Sequence, residues 1–362
     1  MTDNFSGGGQ GFGVPAKDLN LPQFIQAMDK AGYLPVDTNA LTSAYLTLQA
    51  MERAQDGGPV ATLLLDGPPG VGKSFLAKSL AAILGGSYLQ YNCHPDSSEE
   101  ELLRDINFFL PMLSQGGFLT KQPDFEDAFI HGQLFDAIRL SHKGPVVLLV
   151  DELDKARSAV DALLLGFLND GYISLPGGDE GFGIKQMKAN LQNLIVIITK
   201  NDERDLAPAL LRRARVVAMD YPPRNVEVRL LQELRGISDG AAKALVTFAR
   251  KLRANTSLMK PPSPPEVARV AEDFLLLARN NVREGLKDGK NRLECSVPKA
   301  TLNQYFMNGM LAVPEEHAIG AKTLGDKAPG QALFREILRG MGYQDSLPLA
   351  HISEHDLMVG NY

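Results

Sequence analysis

The sequence predicts an α/β fold, a doubly wound and mostly parallel sheet, followed by an all-helical part. Short apolar runs alternate with stretches of helical periodicity: "ATLLLDG" (61–67), "SYLQYN" (87–92), "VVLLVD" (146–151), "LIVIIT" (194–199) and "VVAMDY" (216–221). Runs this continuously apolar mark strands covered on both faces, as in a parallel sheet between two helical layers. After "YPPRN" (221–225) the strand signals stop, and residues 225 to about 283 read as helix throughout. Between the first strand and the helix that follows it lies a glycine-rich loop.

Along the chain, residues 1–20 are Gly-rich and polar and are expected to form a flexible tail. Residues 21–224 form the α/β domain, opened by helical spacing from Leu21 to Gln55. "KSFLAKSLAAILGG" (73–86) is a helix stopped by two glycines. Residues 225–283 form a helical domain. Within it Ser263, Pro264 and Glu266 read as a helix start with a capping box. Residues 284–362 are a mixed C-terminal extension without a repeated pattern.

Composition narrows the function classes. A chain of 362 residues, 44% hydrophobic, is long enough for a sizeable core and two or three domains. The net charge of −6 includes no long basic tail, so nothing at this level asks for nucleic acid or an acidic membrane. Cys93 and Cys295 fit no C-x-x-C pattern and read as thiols of a reducing compartment. No signal-like N-terminus and no span-length apolar stretch is evident, so a cytoplasmic protein is expected. His351 and His355 are four apart, but no third ligand accompanies them; Cys93 and His94 make no better metal pair.

Chemistry enters with "GPPGVGKS", Gly67, Pro68, Pro69, Gly70, Val71, Gly72, Lys73 and Ser74, followed by Phe75. Glycines let backbone N–H groups curl around phosphate oxygens, and the helix N-terminus adds partial positive charge. Lys73 supplies a point charge to the β- and γ-phosphates of ATP, and Ser74 a hydroxyl to Mg²⁺. "VVLLVDELDK" then places Asp151 and Glu152 at the carboxyl end of a strand, where ligands of open α/β sheets bind. Asp151 is the second metal-holding residue, and Glu152, kept free of the metal, orients or deprotonates an attacking water. Asn201 ends a third apolar run and either holds that water or merely forms a turn before Asp202; Thr199 is a weaker candidate. Arg212, Arg213 and Arg215 follow, either as charges on a helix end or aimed at an anion.

The strand–loop–helix, "LLVDELD", "IITKND" and "ALLRRAR", in this order and ahead of a helical domain, resemble an AAA+ ATPase module. The phrase "NDERDLAPALLRRARVVAMDYP" is most similar to the MoxR-like group, and the resemblance covers roughly Leu34 to Asn281. It implies a P-loop AAA+ module followed by a helical lid domain, assembled into a homo-oligomeric ring, a hexamer in the usual case. In such a ring Arg213 reaches the γ-phosphate bound by the adjacent chain, with Arg212 assisting or pairing locally. The family pattern expects a sensing arginine where this chain has Pro265; Arg269, one turn on, is either its replacement or a surface residue. Two insertions, 106–121 with Phe118 and 171–193 with Phe182, correspond to pore-facing elements that touch a client, or else are core. The resemblance implies chaperone-like remodelling of a protein client, or of a separate-chain partner with a metal-ion adhesion domain, whose D-x-S-x-S signature this chain lacks. A nucleic-acid motor or loader is the alternative; the acidic balance and "RKLR" (250–253) as the one short basic run weigh against it.

Overall fold

The computed structural model of the chain describes residues 18–34, 37–106, 129–174, 186–287, 290–325, 328–343 and 349–351. The expected tail at 1–17, Phe118, Phe182 and His355 lie outside these residues. The chain forms two compact units, Met1–Asp220 and Tyr221–Tyr362.

The first unit begins with α1 (Leu21–Lys30) and α2 (Thr38–Glu52). Asn20 and Gln23 cap α1 reciprocally, and the Asp37 carboxylate accepts the amides of Asn39 and Ala40 at the start of α2. The sheet strands are β1 (Ala61–Asp66), β2 (Ser87–Asn92), β3 (Val146–Asp151), β4 (Leu194–Lys200) and β5 (Arg215–Ala218). All pairings are parallel and the strand order is β2-β3-β4-β1-β5. Helices α3 (Lys73–Leu84), α4 (Gln133–Ser141), α5 (Ser158–Asp170) and the short α6 (Pro208–Leu211) connect the strands. Leu64, Leu148, Val196 and Ile198 are fully buried, as central strands covered on both faces require.

Strand order is what builds the site. The loop after β1 does not lie beside β2, the next strand in sequence, but beside β4, with β3 beyond it. The register pairs Asp66 with Lys200 across β1 and β4, and Asn92 with Asp151 across β2 and β3. The carboxyl ends of four strands therefore share one edge of the sheet.

A short antiparallel pairing brackets the first insertion named above and another lies within the second. Arg104–Ile106 pairs with Phe129–His131, and Tyr172–Ser174 with Gln186–Lys188.

The second unit contains α7 (Arg224–Arg235), α8 (Asp239–Arg253), α9 (Pro264–Asn281), α10 (Lys299–Met310), α11 (His317–Leu324) and α12 (Pro329–Gly340). The Glu266 carboxylate accepts both the amide and the hydroxyl of Ser263 at the start of α9. An antiparallel hairpin, Val282–Lys287 with Lys290–Cys295, follows α9, and Leu349–His351 adds to it in parallel. Phe274 of α9, Phe306 of α10 and Phe334 of α12 meet edge to face, at 6.4 and 6.2 Å between ring centroids. Helices on both sides of residue 283 thus share one core. At its margin the buried Glu227 of α7 accepts from Arg250 and Arg253 of α8. Among the described residues, no helix is long and apolar enough to cross a membrane.

Candidate nucleotide-binding site

Tight glycine geometry sets the loop from Gly67 to Gly72. A Cβ on Gly67 would stand 2.1 Å from the Met219 carbonyl oxygen, so only glycine lets this chain pass beside the end of β5. Gly72, the residue before α3, has φ 100°, which aims the first amides of α3 into the loop. Val71 is buried and anchors the loop, whereas Pro69 and Gly70 are exposed. Phe75 is exposed on the first turn of α3 and stacks with Tyr33, ring centroids 6.1 Å apart.

Lys73 folds back under the loop. Its ammonium donates to the carbonyls of Gly67 and Pro68, the latter at 2.9 Å, and to Asn201 Oδ1 at 2.6 Å. Burial pulls the ammonium below its ordinary pKa, against the carboxylates of Asp151, Asp154, Glu152 and Asp66, which hold it up. A desolvated cation beside backbone donors is a ready partner for phosphate oxygens.

Ser74 and Asp151 form the second element. The Ser74 hydroxyl is 3.0 Å from each Asp151 carboxylate oxygen. Gln90 Nε2, on β2, donates to Asp151 Oδ2 at 3.0 Å, and Thr199 Oγ1, on β4, donates to Oδ1 at 2.6 Å. A hydroxyl beside a carboxylate, hard oxygen donors both, suits Mg²⁺, which takes few protein ligands and fills its shell with water and substrate phosphates. Among the described residues no group of three or more His, Cys, Asp or Glu side chains could cage a metal on its own.

Glu152 completes the cluster. It occupies the left-handed region, with φ 55°, where a non-glycine residue persists only if its surroundings impose it. Its amide donates to Thr199 Oγ1 at 2.8 Å, Asn201 Nδ2 donates to its Oε1 at 2.5 Å, and Lys155 Nζ lies 2.6 Å from Oε2. The structure thus brings together Lys73, Ser74, Asp151, Glu152 and Asn201.

Arg212, Arg213 and Arg215 are all exposed. Arg212 follows α6 as its C-cap, and Arg213 Nε donates to Asn169 Oδ1 at 2.6 Å, at the end of α5. Arg269 lies on α9, in the second unit.

Several site residues gave no signal in the sequence. Asp154 is buried, 3% exposed, and one of its carboxylate oxygens accepts the amides of both Asn201 and Glu203 at 2.8 Å. Arg204 makes a two-pronged contact with the buried Asp161, at 2.6 and 2.9 Å, and also donates to the Ala156 and Leu153 carbonyls. The partners lie 43 residues apart, a distance that spacing rules do not span. Gln90 was findable: it alternates with the buried Leu89 and Tyr91 and so shares the face of Asn92, at the strand end. Cys93 is a free buried thiol pushed up to about 12 by burial, which disfavours the reactive thiolate.

Comparison with known families agrees with this geometry. Residues 62–214 match the family described as AAA domain (dynein-related subfamily). The chain is 33% identical over 146 residues to the chloroplastic chaperone protein ClpC4 of Oryza sativa subsp. japonica, covering 40% of this chain and 14% of that one. It is 30% identical over 159 residues to the chloroplastic chaperone protein ClpC of Pisum sativum, covering 42% and 15%. A Lon protease of Leptospira interrogans is 21% identical over 232 residues, covering 61% of this chain and 24% of that one. The chain therefore spans less than a quarter of the length of these relatives.

Proposed function

We propose that this chain, whose residues 62–214 form an AAA domain, is an ATP-hydrolysing, ring-forming remodelling ATPase that acts on a protein partner. What supports the reading is the meeting of Lys73, Ser74, Asp151, Glu152 and Asn201 in one hydrogen-bonded cluster at the carboxyl edge of the sheet. The amides of Gly67–Gly72 and the start of α3 bind the phosphates, and Lys73 exchanges its carbonyl and Asn201 partners for phosphate oxygens. Ser74 and Asp151 are the residues that would hold Mg²⁺, which would neutralise charge on the phosphates. Asn201 orients the attacking water, and Glu152 takes its proton as the terminal phosphoryl group is transferred. Gln90 and Thr199 keep the Asp151 carboxylate turned toward Ser74.

Arg213 is assigned to the phosphate of a neighbouring subunit in the ring. Its exposure supports that role. The MoxR-like assignment rests on the run from Asn201 to Pro222, and the chaperone-like role on it and on the named chaperone relatives. Arg269 is the residue proposed to sense nucleotide in place of Pro265. The client is a protein chain, or a partner carrying a separate adhesion domain, met by the two ribbon insertions. Residues 225–283 serve as the lid, with residues 284–362 as an extension.

Lys73→Ala tests the nucleotide half of this reading. Calorimetry with ATP and Mg²⁺ should show saturable binding by the unmodified chain and none by the variant, with unchanged melting of the free proteins. Equal affinity in both would remove the phosphate role of the loop.

A further inference from the structure

All seven residues of β4 are buried, and the last of them is a lysine. A buried ammonium persists only with partners, and Lys200 has two, standing 3.2 Å from Asp66 Oδ2 and 2.9 Å from Asp202 Oδ1. Burial pulls the ammonium down, but the bonds to Asp202 and Asp66 outweigh it and hold the group above its ordinary pKa, so its charge persists at neutral pH. Both partners adjoin the candidate site. Asp66 immediately precedes Gly67, and Asp202 immediately follows Asn201. Side chains alternate along a strand, so with Thr199 turned to Asp151, Lys200 points to the other face of the sheet. There Asp66 is its register partner on β1, and the Gly67 amide donates to the Lys200 carbonyl at 3.4 Å.

Asp202, like Glu152, lies in the left-handed region, with φ 74°, a conformation that lasts only where the surroundings impose it. Asp154 accepts the amides on either side of it, those of Asn201 and Glu203, both at 2.8 Å, and Lys200 draws back its side chain. The Asn201 side chain carried by this turn meets two groups at once, Lys73 through Oδ1 at 2.6 Å and Glu152 through Nδ2 at 2.5 Å. Such a double contact tolerates little movement of one loop against the other. We propose that Lys200 is a positioning residue that clamps the root of the Gly67–Gly72 loop to the Asn201 turn from the far face of the sheet, and so sets Asn201 in register with Lys73 and Glu152. The inference rests on the water-holding role given to Asn201. The Asp202 side chain is 88% exposed, and an ion pair this open adds little to folding, so its loss is read in geometry and rate.

Lys200→Met keeps an apolar stem and removes the charge. Its kcat for phosphate release should fall about tenfold, inside the 10²-fold that a misplacement of about 1 Å can cost, while ATP affinity by calorimetry changes less than about twofold. Lys200→Arg should recover most of the rate. Asp202→Asn tolerates the left-handed conformation without the charge, and should lower kcat as well. The double variant should be no slower than Lys200→Met alone, because both changes remove one contact. Hydrogen exchange should quicken across residues 201–204 in both single variants and stay unchanged in α3. A Lys200→Met chain that melts and binds ATP like the parent and turns over as fast would overturn the proposal. Weakened ATP binding at unchanged kcat would do so too, marking Lys200 as a charge that attracts nucleotide, as would additive effects in the double variant. Should Lys200→Met not fold, Asp202→Asn decides alone, its side chain lying on the surface. An unmodified chain that binds ATP without hydrolysing it refutes the hydrolytic reading instead; the exchange comparison then decides the clamp, and equal exchange at 201–204 overturns it.

Discussion

Thr199 shows how much one hydroxyl can organise. It is fully buried, donates to Asp151 Oδ1 and accepts the amide of Glu152, so it couples the carboxylate proposed to hold the metal to the backbone of the one proposed to activate water. That amide belongs to a residue in the left-handed region, and its bond to Thr199 helps keep Glu152 there. Thr199→Val keeps shape and removes both bonds, leaving a buried amide without its partner. The expected cost is about 1–3 kcal/mol of stability in urea denaturation. Phosphate release should fall further than ATP affinity does, because the Gly67–Lys73 loop is untouched. Unchanged stability and unchanged turnover would contradict the role assigned to the hydroxyl.

At the scale of elements, β1, β3 and β4 were legible because central parallel strands must be apolar on both faces and can change character only at their ends, whereas the edge strands β2 and β5 are exposed at Gln90, Asn92 and Val216. Asp151 and Glu152 were legible for the same reason, since they stand at a strand end, and Lys73 through the glycine pattern that precedes it. The order β2-β3-β4-β1-β5 was not, because nothing local says which buried strand lies beside which. The Asp154 and Arg204 clamps were hidden because both depend on that order, joining segments more than 40 residues apart. The hairpin after α9 escaped as well: "VREGLK" and "KNRLEC" are too polar to announce strands. The close approach at Gly67 depends on the β1–β5 pairing and gives an element-scale prediction. Gly67→Ala would set a methyl 2.1 Å from the Met219 carbonyl, so the strand end must move. A loss of about 1–3 kcal/mol is expected, the range for overpacking, together with weakened ATP binding. Unfolding in urea and calorimetry check the two effects, and a variant as stable as its parent would show that the end of β5 yields freely.

For the whole molecule, the exposed arginine edge raises the question of assembly. If Arg213 serves a neighbouring chain, Arg213→Ala should still bind ATP but hydrolyse it about 10³-fold more slowly, as for a lost arginine finger. Mixing it with Lys73→Ala chains should restore some activity, since an intact pocket on one subunit can then face an intact arginine on the next. Mixed assemblies verified by mass measurement yet no more active than their components would return Arg213 to a helix-end charge paired with Asn169. Assembly, lid and client all presuppose that this site hydrolyses ATP with Glu152 as its proton acceptor. The most direct measurement is phosphate release by Glu152→Gln, set beside its affinity for ATP in the same buffer. The variant keeps the loop, Lys73, Ser74 and Asp151. It should bind ATP as the parent does while turnover falls by about 10²–10⁴-fold, the contribution of a general base. Turnover at the parent's rate with ATP bound would contradict the account at its centre.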